Sequence, residues 1–355
     1  MAKLFEVKPI DYSFYKERLE NFLPDKIIDI HTHVYLNEFK AKTTKYPKRS
    51  VTWPSRVAKD NPIEDLIETY ALMFPGKMVI PQIFSSLRPD DDIEAANDYI
   101  QKCSRKYGFP GLIYSTPKWG GELLRSKIVS GGFYGCKVYL NFSKPYIPEK
   151  EIRIFDFLPH HQLKIINDNG WIVMLHIPRD GRLKDPVNLE QILEINRKYP
   201  NIKLIIAHVG RAYCNEDVDN AFEVLSEAKN LLFDFSANTN QWVFEQLINA
   251  VGPKRILFGS DMPILRMRTR RIVEESRYVN LVPAGLYGDI SGDEHMREVE
   301  GEDADDLTFF MYEEIDAFKR AAENTGIGRP EIEDIFYNNA YKLFKGINEN
   351  FNASL

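Results

Sequence analysis

The apolar positions of this chain fall into short, nearly continuous runs and not into strict apolar and polar alternation. Such runs are typical of parallel β-strands that helices cover on both faces. The eight runs lie at residues 26–30, 78–84, 111–115, 133–140, 171–175, 202–207, 231–236 and 255–259. The pattern therefore predicts eight buried strands.

Segments typical of helices separate most of these runs. They lie at residues 91–107, 156–169, 188–199, 217–229 and 240–250. Strand–helix units repeated eight times predict an α/β fold of the (β/α)8 (TIM) barrel type. A doubly wound open sheet also alternates strands and helices, but it predicts a glycine-rich nucleotide-binding turn after the first strand. The chain has DIHTHV at that place, which favours the barrel.

Two long segments interrupt this alternation. Residues 35–62 follow the first predicted strand and residues 262–306 follow the eighth. In a barrel, both are βα loops above the face where catalysis occurs. Long loops without regular structure are typical of lids, binding loops or disordered segments. We also predict a helix at residues 10–22 that closes the bottom of the barrel and a last helix at residues 331–344.

Length and composition favour one soluble enzyme-like unit. Since α/β barrels often exceed about 250 residues as one domain, we predict a single domain over residues 1–355 with residues 1–25 as an N-terminal extension. The net charge of −6 argues against nucleic acid as a partner. The sequence predicts no membrane span and no signal peptide, and hence a cytoplasmic location. The three cysteines lack a CxxC pair, which argues against disulfides or a thiolate zinc site.

The candidate chemistry lies where four predicted strands end. His31 and His33 end the first strand, His176 the fifth, His208 the sixth and Asp261 the eighth. Alternate residues of a strand point the same way, so both histidines of the first strand can face one ion. Three imidazoles and one carboxylate, with water in an open position, suit zinc or a similar divalent metal.

Each of these residues also has an ordinary structural interpretation. The His31 and His33 pair is also compatible with a surface or capping role, and His176 with a buried core histidine. Asp261, in GSDMP, is also typical of a turn before a proline. Because all of these residues end predicted strands in a fold whose sites are built from such ends, the set favours a metal site.

At these positions the chain resembles the amidohydrolase superfamily, in particular its amidohydrolase-related branch. The similar segments are DIHTHV, GCKVYL, VMLHIP, KLIIAHVGR and RILFGSDMP, followed by EIEDIFYNNAYKLFKG near the end of the chain. They cover about residues 26–264 and 330–346. The branch contains metal-dependent hydrolases, lactonases and non-oxidative decarboxylases related to aminocarboxymuconate semialdehyde decarboxylase. The resemblance is specific to the superfamily and not to a substrate.

The resemblance implies that His31, His33, His176 and Asp261 bind the metal and that His208 lies beside its water. His208 is alternatively a ligand of a second metal. Lys137 interrupts the strand of YGCKVYL. In binuclear members a similarly placed lysine is carboxylated and bridges two ions. We favour a single Zn²⁺, with Lys137 paired to a substrate carboxylate or an internal acid, and keep the bridged two-metal centre as the alternative.

Arginines supply candidate contacts to the substrate. Arg211 follows His208 by three residues, and a guanidinium there can clamp a carboxylate; a salt bridge to a neighbouring helix is the alternative. Five more stand in PILRMRTRRIVEESR after Asp261, namely Arg266, Arg268, Arg270, Arg271 and Arg277. We name Arg266 as substrate-binding and expect at least one of these arginines or Arg211 to bind a substrate anion. A solvated helix face or pairing with the acidic residues 289–306 is the alternative.

The remaining candidates carry less information. Trp53 and Arg56 either roof the pocket or pack their loop onto the barrel. His160 and His161 stand at the start of a predicted helix, and His295 stands in an acidic stretch that is typical of a mobile, solvated loop.

Together these features predict a metal-dependent hydrolase. We expect its Asp261 and His208 to move the proton of a metal-activated water that attacks a lactone, ester or amide carbonyl of a small, anionic substrate. The alternatives are a non-oxidative decarboxylase and a catalytically inactive metal-binding barrel. We expect no membrane or nucleic-acid partner and leave homo-oligomer formation open.

Overall fold

The computed structural model of the protein describes residues 4–47, 49 and 53–353. Eight of its strands correspond to the runs that the sequence predicts; β1 extends three residues beyond its run, β2 matches its run and the other six are shorter. They are β1 (Lys26–His33), β2 (Met78–Phe84), β3 (Ile113–Tyr114), β4 (Gly135–Val138), β5 (Ile172–Leu175), β6 (Lys203–Ile206), β7 (Leu232–Asp234) and β8 (Ile256–Leu257).

These strands form a parallel arrangement in chain order. Strands β3 to β8 make a six-stranded sheet and β1 pairs with β2. Isolated parallel bridges join Ile83 to Gly111 and Thr32 to Met262. The backbone amide of Ile30 also donates to the carbonyl oxygen of Phe258 at 2.9 Å. Hydrogen bonds therefore connect the pair to both ends of the larger sheet, and the protein has a mixed α/β fold.

Helices follow most of the strands. In chain order they are α1 (Pro9–Phe14), α2 (Ile63–Met73), α3 (Ile93–Tyr107), α4 (Gly121–Gly131), α5 (His160–Asn169), α6 (Pro186–Lys198), α7 (His208–Arg211), α8 (Ala221–Ser226), α9 (Gln241–Val251), α10 (Glu302–Asp305), α11 (Phe310–Thr325), α12 (Arg329–Glu333) and α13 (Asn339–Ala353). Asp92 and Asp185 cap α3 and α6 by accepting backbone N–H bonds. No described helix is long and apolar enough to cross a membrane.

Three predicted helices have different bounds in the structure. The helix predicted at residues 10–22 is α1 followed by a π-helical turn at Tyr15–Leu19. The helix predicted at residues 217–229 is only α8, because a 3₁₀ turn at Asn215–Asp217 precedes it. The last predicted helix is a longer run in which a second π-helical turn joins α12 to α13.

The segment after β8 is more regular than the sequence predicts. It contains β9 (Arg270–Glu274), β10 (Arg277–Pro283) and β11 (Met296–Val299), which form a separate sheet in the order β11-β10-β9. The prediction of a long segment without regular structure is wrong here. Glu275 and Ser276, both with positive φ, make the tight turn of the β9–β10 hairpin. In the segment after β1, residues 48 and 50–52 lie outside the described residues.

The apolar core lies between the sheet and its helices. An aromatic cluster anchors it, formed by Phe235, Phe244, Phe258, Phe318 and Phe336. Phe235 and Phe318 stack with ring centres 4.1 Å apart. This core joins strands β7 and β8 to the C-terminal helices and so fixes the strand ends that carry the polar residues.

Candidate metal centre

Strand β1 carries two histidines whose rings are held at one nitrogen. The Nδ1 of His31 lies 2.9 Å from Oδ2 of Asp234, and the Nδ1 of His33 lies 3.0 Å from the carbonyl oxygen of Ser85. Since both acceptors require a proton on Nδ1, we assign the lone pair of each ring to Nε2. Carboxylates and carbonyls hold metal-binding histidines in this way.

Asp261 places its carboxylate against both Nε2 atoms. Its Oδ1 lies 3.1 Å from Nε2 of His33 and 3.4 Å from Nε2 of His31. The backbone amide of Asp261 donates to the carbonyl oxygen of His31 at 2.8 Å, so the loop after β8 is fixed to β1. Asp261 has a φ of +54°. Such backbone strain costs a non-glycine residue about 1–3 kcal/mol and is concentrated at functional sites.

His208 and His176 complete the cluster from β6 and β5. The Nδ1 of His208 lies 3.1 Å from the carbonyl oxygen of Ser236, which follows β7. The rings of His176 and His208 have centres 5.4 Å apart. The Nδ1 of His176 is buried and has no hydrogen-bond partner among the described residues. A buried nitrogen of this kind is costly unless a ligand or a water molecule meets it.

Three of these side chains already form a compact donor set. The ligand atoms of His31, His208 and Asp261 all lie within 4.8 Å of one another. Burial lowers the pKa of His31 to about 3 and also lowers the pKa of His208, which keeps both imidazoles neutral. Burial opposes ionisation of Asp261, but the adjacent imidazoles, His208 first, lower its pKa to about 2. Neutral imidazoles and an ionised carboxylate fit a divalent transition metal.

Lys137 points into the same cluster from β4. Its Nζ lies 3.4 Å from Nε2 of His31 and 5.1 Å from the ring centre of Phe84. Burial lowers the pKa of Lys137 to about 8, while Asp261 and Asp234 favour its charged form. The ammonium group therefore lies beside the proposed ligands, and its carboxylation stays a prediction.

Two further carboxylates accept hydrogen bonds from residues of the candidate centre or next to it, and the sequence analysis missed both. Asp234 accepts from the ring of His31 and, through Oδ1, from the backbone amide of His208 at 2.9 Å. Asp29 accepts from the amide of Ser260 at 2.9 Å and from the hydroxyl of Tyr70 at 2.7 Å. Each of them interrupts an apolar strand, the same signal that drew attention to Lys137. That signal would have found them.

The cluster lies in a cavity of about 990 Å³. Its wall includes all six polar residues named for the centre: His31, His33, His176, His208, Asp261 and Lys137. Trp53, which the sequence analysis offered as a roof residue, also lines it. Arg56 does not line it and instead donates to the carbonyl oxygen of Tyr287 at 3.0 Å.

The two arginines named as substrate-binding lie elsewhere. Arg211 donates from Nη1 to the carbonyl oxygens of Pro178 at 3.2 Å and of Arg179 at 3.3 Å. Arg266 lies 5.8 Å from the ring centre of Phe5. Neither belongs to the cavity wall, whereas Arg271 does. Strand β9 brings Arg271 to the cavity wall. The sequence gave no reason to choose Arg271 as the substrate-binding residue over the neighbouring arginines.

The other candidates have structural partners. His160 begins α5 and its Nδ1 lies 2.9 Å from the hydroxyl of Tyr199. His161 contacts the carbonyl oxygen of Trp119 at 3.0 Å. The ring of His295 stacks on Tyr278 with centres 4.1 Å apart, so this side chain is packed, although most residues of the acidic stretch around it are exposed as expected. The three cysteines are all buried and unbridged.

A family model described as amidohydrolase matches residues 28–271. This range holds every residue of the centre, from the end of β1 to the loop after β8. No curated protein sequence matches the chain.

Solved structures with a similar fold have low sequence identity to this chain. A dihydroxybenzoic acid decarboxylase from Polaromonas, solved with manganese and 2-nitroresorcinol, is 18% identical with a TM-score of 0.52, over 92% of this chain and 99% of that one. A putative 2-pyrone-4,6-dicarboxylic acid hydrolase from Pseudomonas putida is 16% identical with a TM-score of 0.54, over 92% and 99%. A 4-oxalomesaconate hydratase from Rhodopseudomonas palustris is 16% identical with a TM-score of 0.52, over 92% and 98%. These likenesses concern the fold alone.

Proposed function

The chain belongs to the amidohydrolase family, and from this premise we propose that it is a metal-dependent hydrolase that attacks a carbonyl carbon of a small organic substrate. Lactones, esters and amides are the substrate classes that this reaction includes. The observation that carries the proposal is the position of the Asp261 carboxylate, which lies against the imidazoles of His31 and His33 and close to that of His208 at the wall of the cavity. A carboxylate there can accept a proton from water and later return it to a leaving group.

One divalent ion, which we propose to be Zn²⁺, is held by His31, His33, His176 and Asp261. Lewis acidity is the chemistry that such an ion supplies, since it lowers the pKa of water and polarises a carbonyl. Although the ligand atom of His208 lies within 4.8 Å of those of His31 and Asp261, we propose that His208 is not a ligand and would hydrogen-bond the water or the substrate. The ammonium group of Lys137 stabilises negative charge that develops on the substrate oxygen. Carboxylated Lys137 bridging two ions remains the alternative arrangement.

We further propose that the eight strands close into a (β/α)8 barrel. The bridges between β2 and β3 and between β1 and the residues after β8 support this closure. The chain is then a single domain over residues 1–355, with residues 1–25 as an N-terminal extension. Its long βα segments at residues 35–62 and 262–306 stand over the catalytic face.

Non-oxidative decarboxylation of a small carboxylic acid is the second candidate. The observation that favours it is the ammonium group of Lys137 at 3.4 Å from His31, because a cation at this place can hold a carboxylate or serve as a proton donor. The same five histidine and aspartate side chains serve both reactions, so the two differ in substrate and product and not in ligands.

The test is metal analysis of the purified protein followed by a screen of lactones, esters, amides and aromatic carboxylates. Release of acid from a lactone, ester or amide supports the hydrolase, and release of CO₂ from a carboxylate supports the second candidate. A metal-loaded protein that is inactive on every class would contradict both and favour the inactive metal-binding barrel.

Metal content of two variants tests the ligand set. His176→Ala should lose the ion, whereas His208→Asn should keep it and lose turnover. If both variants lose the ion equally, the ligand set is wrong and the two-ion centre is preferred.

A further inference from the structure

Arg271 is a guanidinium in the cavity wall that no carboxylate neutralises. It lies in β9, and the titratable groups that act on it are Tyr278, Tyr213, Arg182 and Cys214. No described acidic side chain forms an ion pair with it. Arg271 is half-buried, and partial burial of a charge without an ionic partner costs free energy that a bound anion would offset.

Two hydrogen bonds fix this guanidinium. Nε donates to Oδ1 of Asn280 on the neighbouring strand β10 at 2.9 Å, and Nη1 donates to the carbonyl oxygen of Ala237 at 2.6 Å. Ala237 follows Ser236, which contacts the ring of His208. The guanidinium is therefore held on the His208 side of the candidate metal centre.

Aromatic rings surround the same group. Its central carbon lies 4.3 Å from the ring centre of Tyr278, 5.2 Å from that of Tyr213 and 5.8 Å from that of Trp53. These three residues also line the cavity. Flat rings beside an anchored guanidinium provide surfaces on which a planar ligand can stack.

Two other arginines of this region differ from Arg271. Arg182 lies against the same two tyrosines but forms a 2.6 Å ion pair with Asp217. Arg49 also lines the cavity, but its Nη1 donates to Oγ of Ser143 and its Nη2 donates to the carbonyl oxygen of Ile147. The Nη2 of Arg271, by contrast, makes no hydrogen bond within the part of the chain that the structure describes, so it is available to a ligand.

The cavity as a whole favours anions. Seven lysines and arginines line it against two acidic residues, in a chain whose net charge is −6. The acidic residues are Glu38 and Asp261, and Asp261 belongs to the proposed metal set. Positive potential inside the cavity concentrates negatively charged ligands there.

We propose that Arg271, with Trp53, Tyr213 and Tyr278, forms a carboxylate subsite for a planar part of the substrate. The inference rests on the proposed function for its place beside the catalytic centre. The substrate is then a planar, unsaturated compound that carries a carboxylate in addition to the group that reacts at the metal. The hairpin of β9 and β10 supplies this specificity.

Calorimetric titration of the metal-loaded protein tests the subsite with three probes: benzoate, its neutral analogue benzamide, and the non-planar cyclohexanecarboxylate. Benzoate should bind most tightly. Arg271→Met should weaken benzoate about 10- to 100-fold, the scale of a lost hydrogen bond to a charged group, and should leave benzamide unchanged. Arg270→Met is the matched control, because Arg270 is exposed and lies outside the cavity wall, and it should bind benzoate as the wild type does.

Equal benzoate affinity in Arg271→Met and the wild type would overturn the subsite. Equal affinity of the wild type for benzoate and cyclohexanecarboxylate would overturn its planar preference. Arg271→Lys keeps the positive charge but lacks the planar guanidinium, so it should lose less benzoate affinity than Arg271→Met. This intermediate result would show that the loss in Arg271→Met does not come from misfolding. Binding can be measured without turnover. If the protein is inactive but binds benzoate in a way that depends on Arg271, the proposed reaction is rejected and the subsite is kept. If the protein is an active hydrolase and its benzoate affinity does not depend on Arg271, the subsite is rejected and the proposed reaction is kept.

Discussion

Two parts of the cavity wall, which we call the floor and the roof, differ in how far their polar side chains are paired within the protein. The floor consists of strand-end side chains, and nearly every one has a fixed partner, as His31 has Asp234 and His208 has Ser236. We use roof for the described residues 35–47, 49, 53–62 and 262–306, several of which line the cavity. The roof contributes aromatic rings and the unpaired guanidinium of Arg271.

We infer from this difference that the floor serves the reaction and the roof serves substrate binding. Partners on the floor fix the ring orientation that the proposed metal ion requires, so we expect most changes there to weaken metal binding. The roof is attached through its own contacts, above all the buried pair between Arg268 and Asp11. Changes in the roof should therefore alter substrate binding or stability and leave the metal in place.

The largest effect is expected on the floor, from His31→Ala. The variant should lose the divalent ion and all turnover while it keeps its fold, because an alanine at a fully buried strand position removes a proposed ligand without adding a charge. Metal analysis by mass spectrometry and circular dichroism measure the two properties. Retained metal and activity would reject this site.

The next largest effect is expected from a change that removes a contact of the roof and leaves the floor intact. Asp11 receives two hydrogen bonds from Arg268, at 2.9 and 2.7 Å, and a third from Thr308 at 2.7 Å. Asp11→Ala leaves a buried guanidinium unpaired and should lower the free energy of unfolding by about 3–5 kcal/mol. Urea denaturation measures the loss, and metal content should not change.

Glu20→Ala is the control for this prediction, because the Lys16–Glu20 pair lies at the surface and should matter little. A loss of metal in Asp11→Ala that equals the loss in His31→Ala would contradict the separation of roof and floor.

A smaller effect concerns a floor residue that is not a proposed ligand. Asp234→Asn replaces the acceptor at 2.9 Å from Nδ1 of His31 with a neutral group. Removing such a partner typically costs about 10- to 100-fold in metal affinity. Competition with a fluorescent chelator measures the affinity. An unchanged affinity would show that the ring of His31 needs no carboxylate to orient it.

The smallest effect comes from Glu314, a buried carboxyl of α11 that accepts from the amide of Asn238 at 3.4 Å. Burial raises its pKa well above the usual 4.5. The native state then binds more protons than the unfolded state above that pH, so this group makes stability fall as the pH rises. Glu314→Gln should reduce that fall as the pH rises above the usual carboxyl pKa of 4.5, as urea denaturation can measure. Parallel pH profiles for both proteins would contradict the assignment.

The strand ends could be read from the sequence because they depend on short-range order. Apolar runs placed the eight parallel strands β1 to β8, and the polar residue after a run marked its end. The structure brings His31, His176, His208 and Asp261 together in one cavity. Asp234 was within reach of the same argument, since it interrupts an apolar run as Lys137 does.

The roof could not be read in this way, because its side chains are placed by contacts between distant parts of the chain. The five arginines after Asp261 look alike in sequence. Arg268 is separated by 257 positions from its partner Asp11, and Arg271 reaches the cavity through a hairpin that the sequence analysis took for an irregular segment. Periodicity within the chain determined where the candidate metal-binding side chains stand. Only tertiary packing decided which guanidinium reaches the cavity wall without an acidic partner, because both its position and its partners depend on contacts that no local pattern specifies.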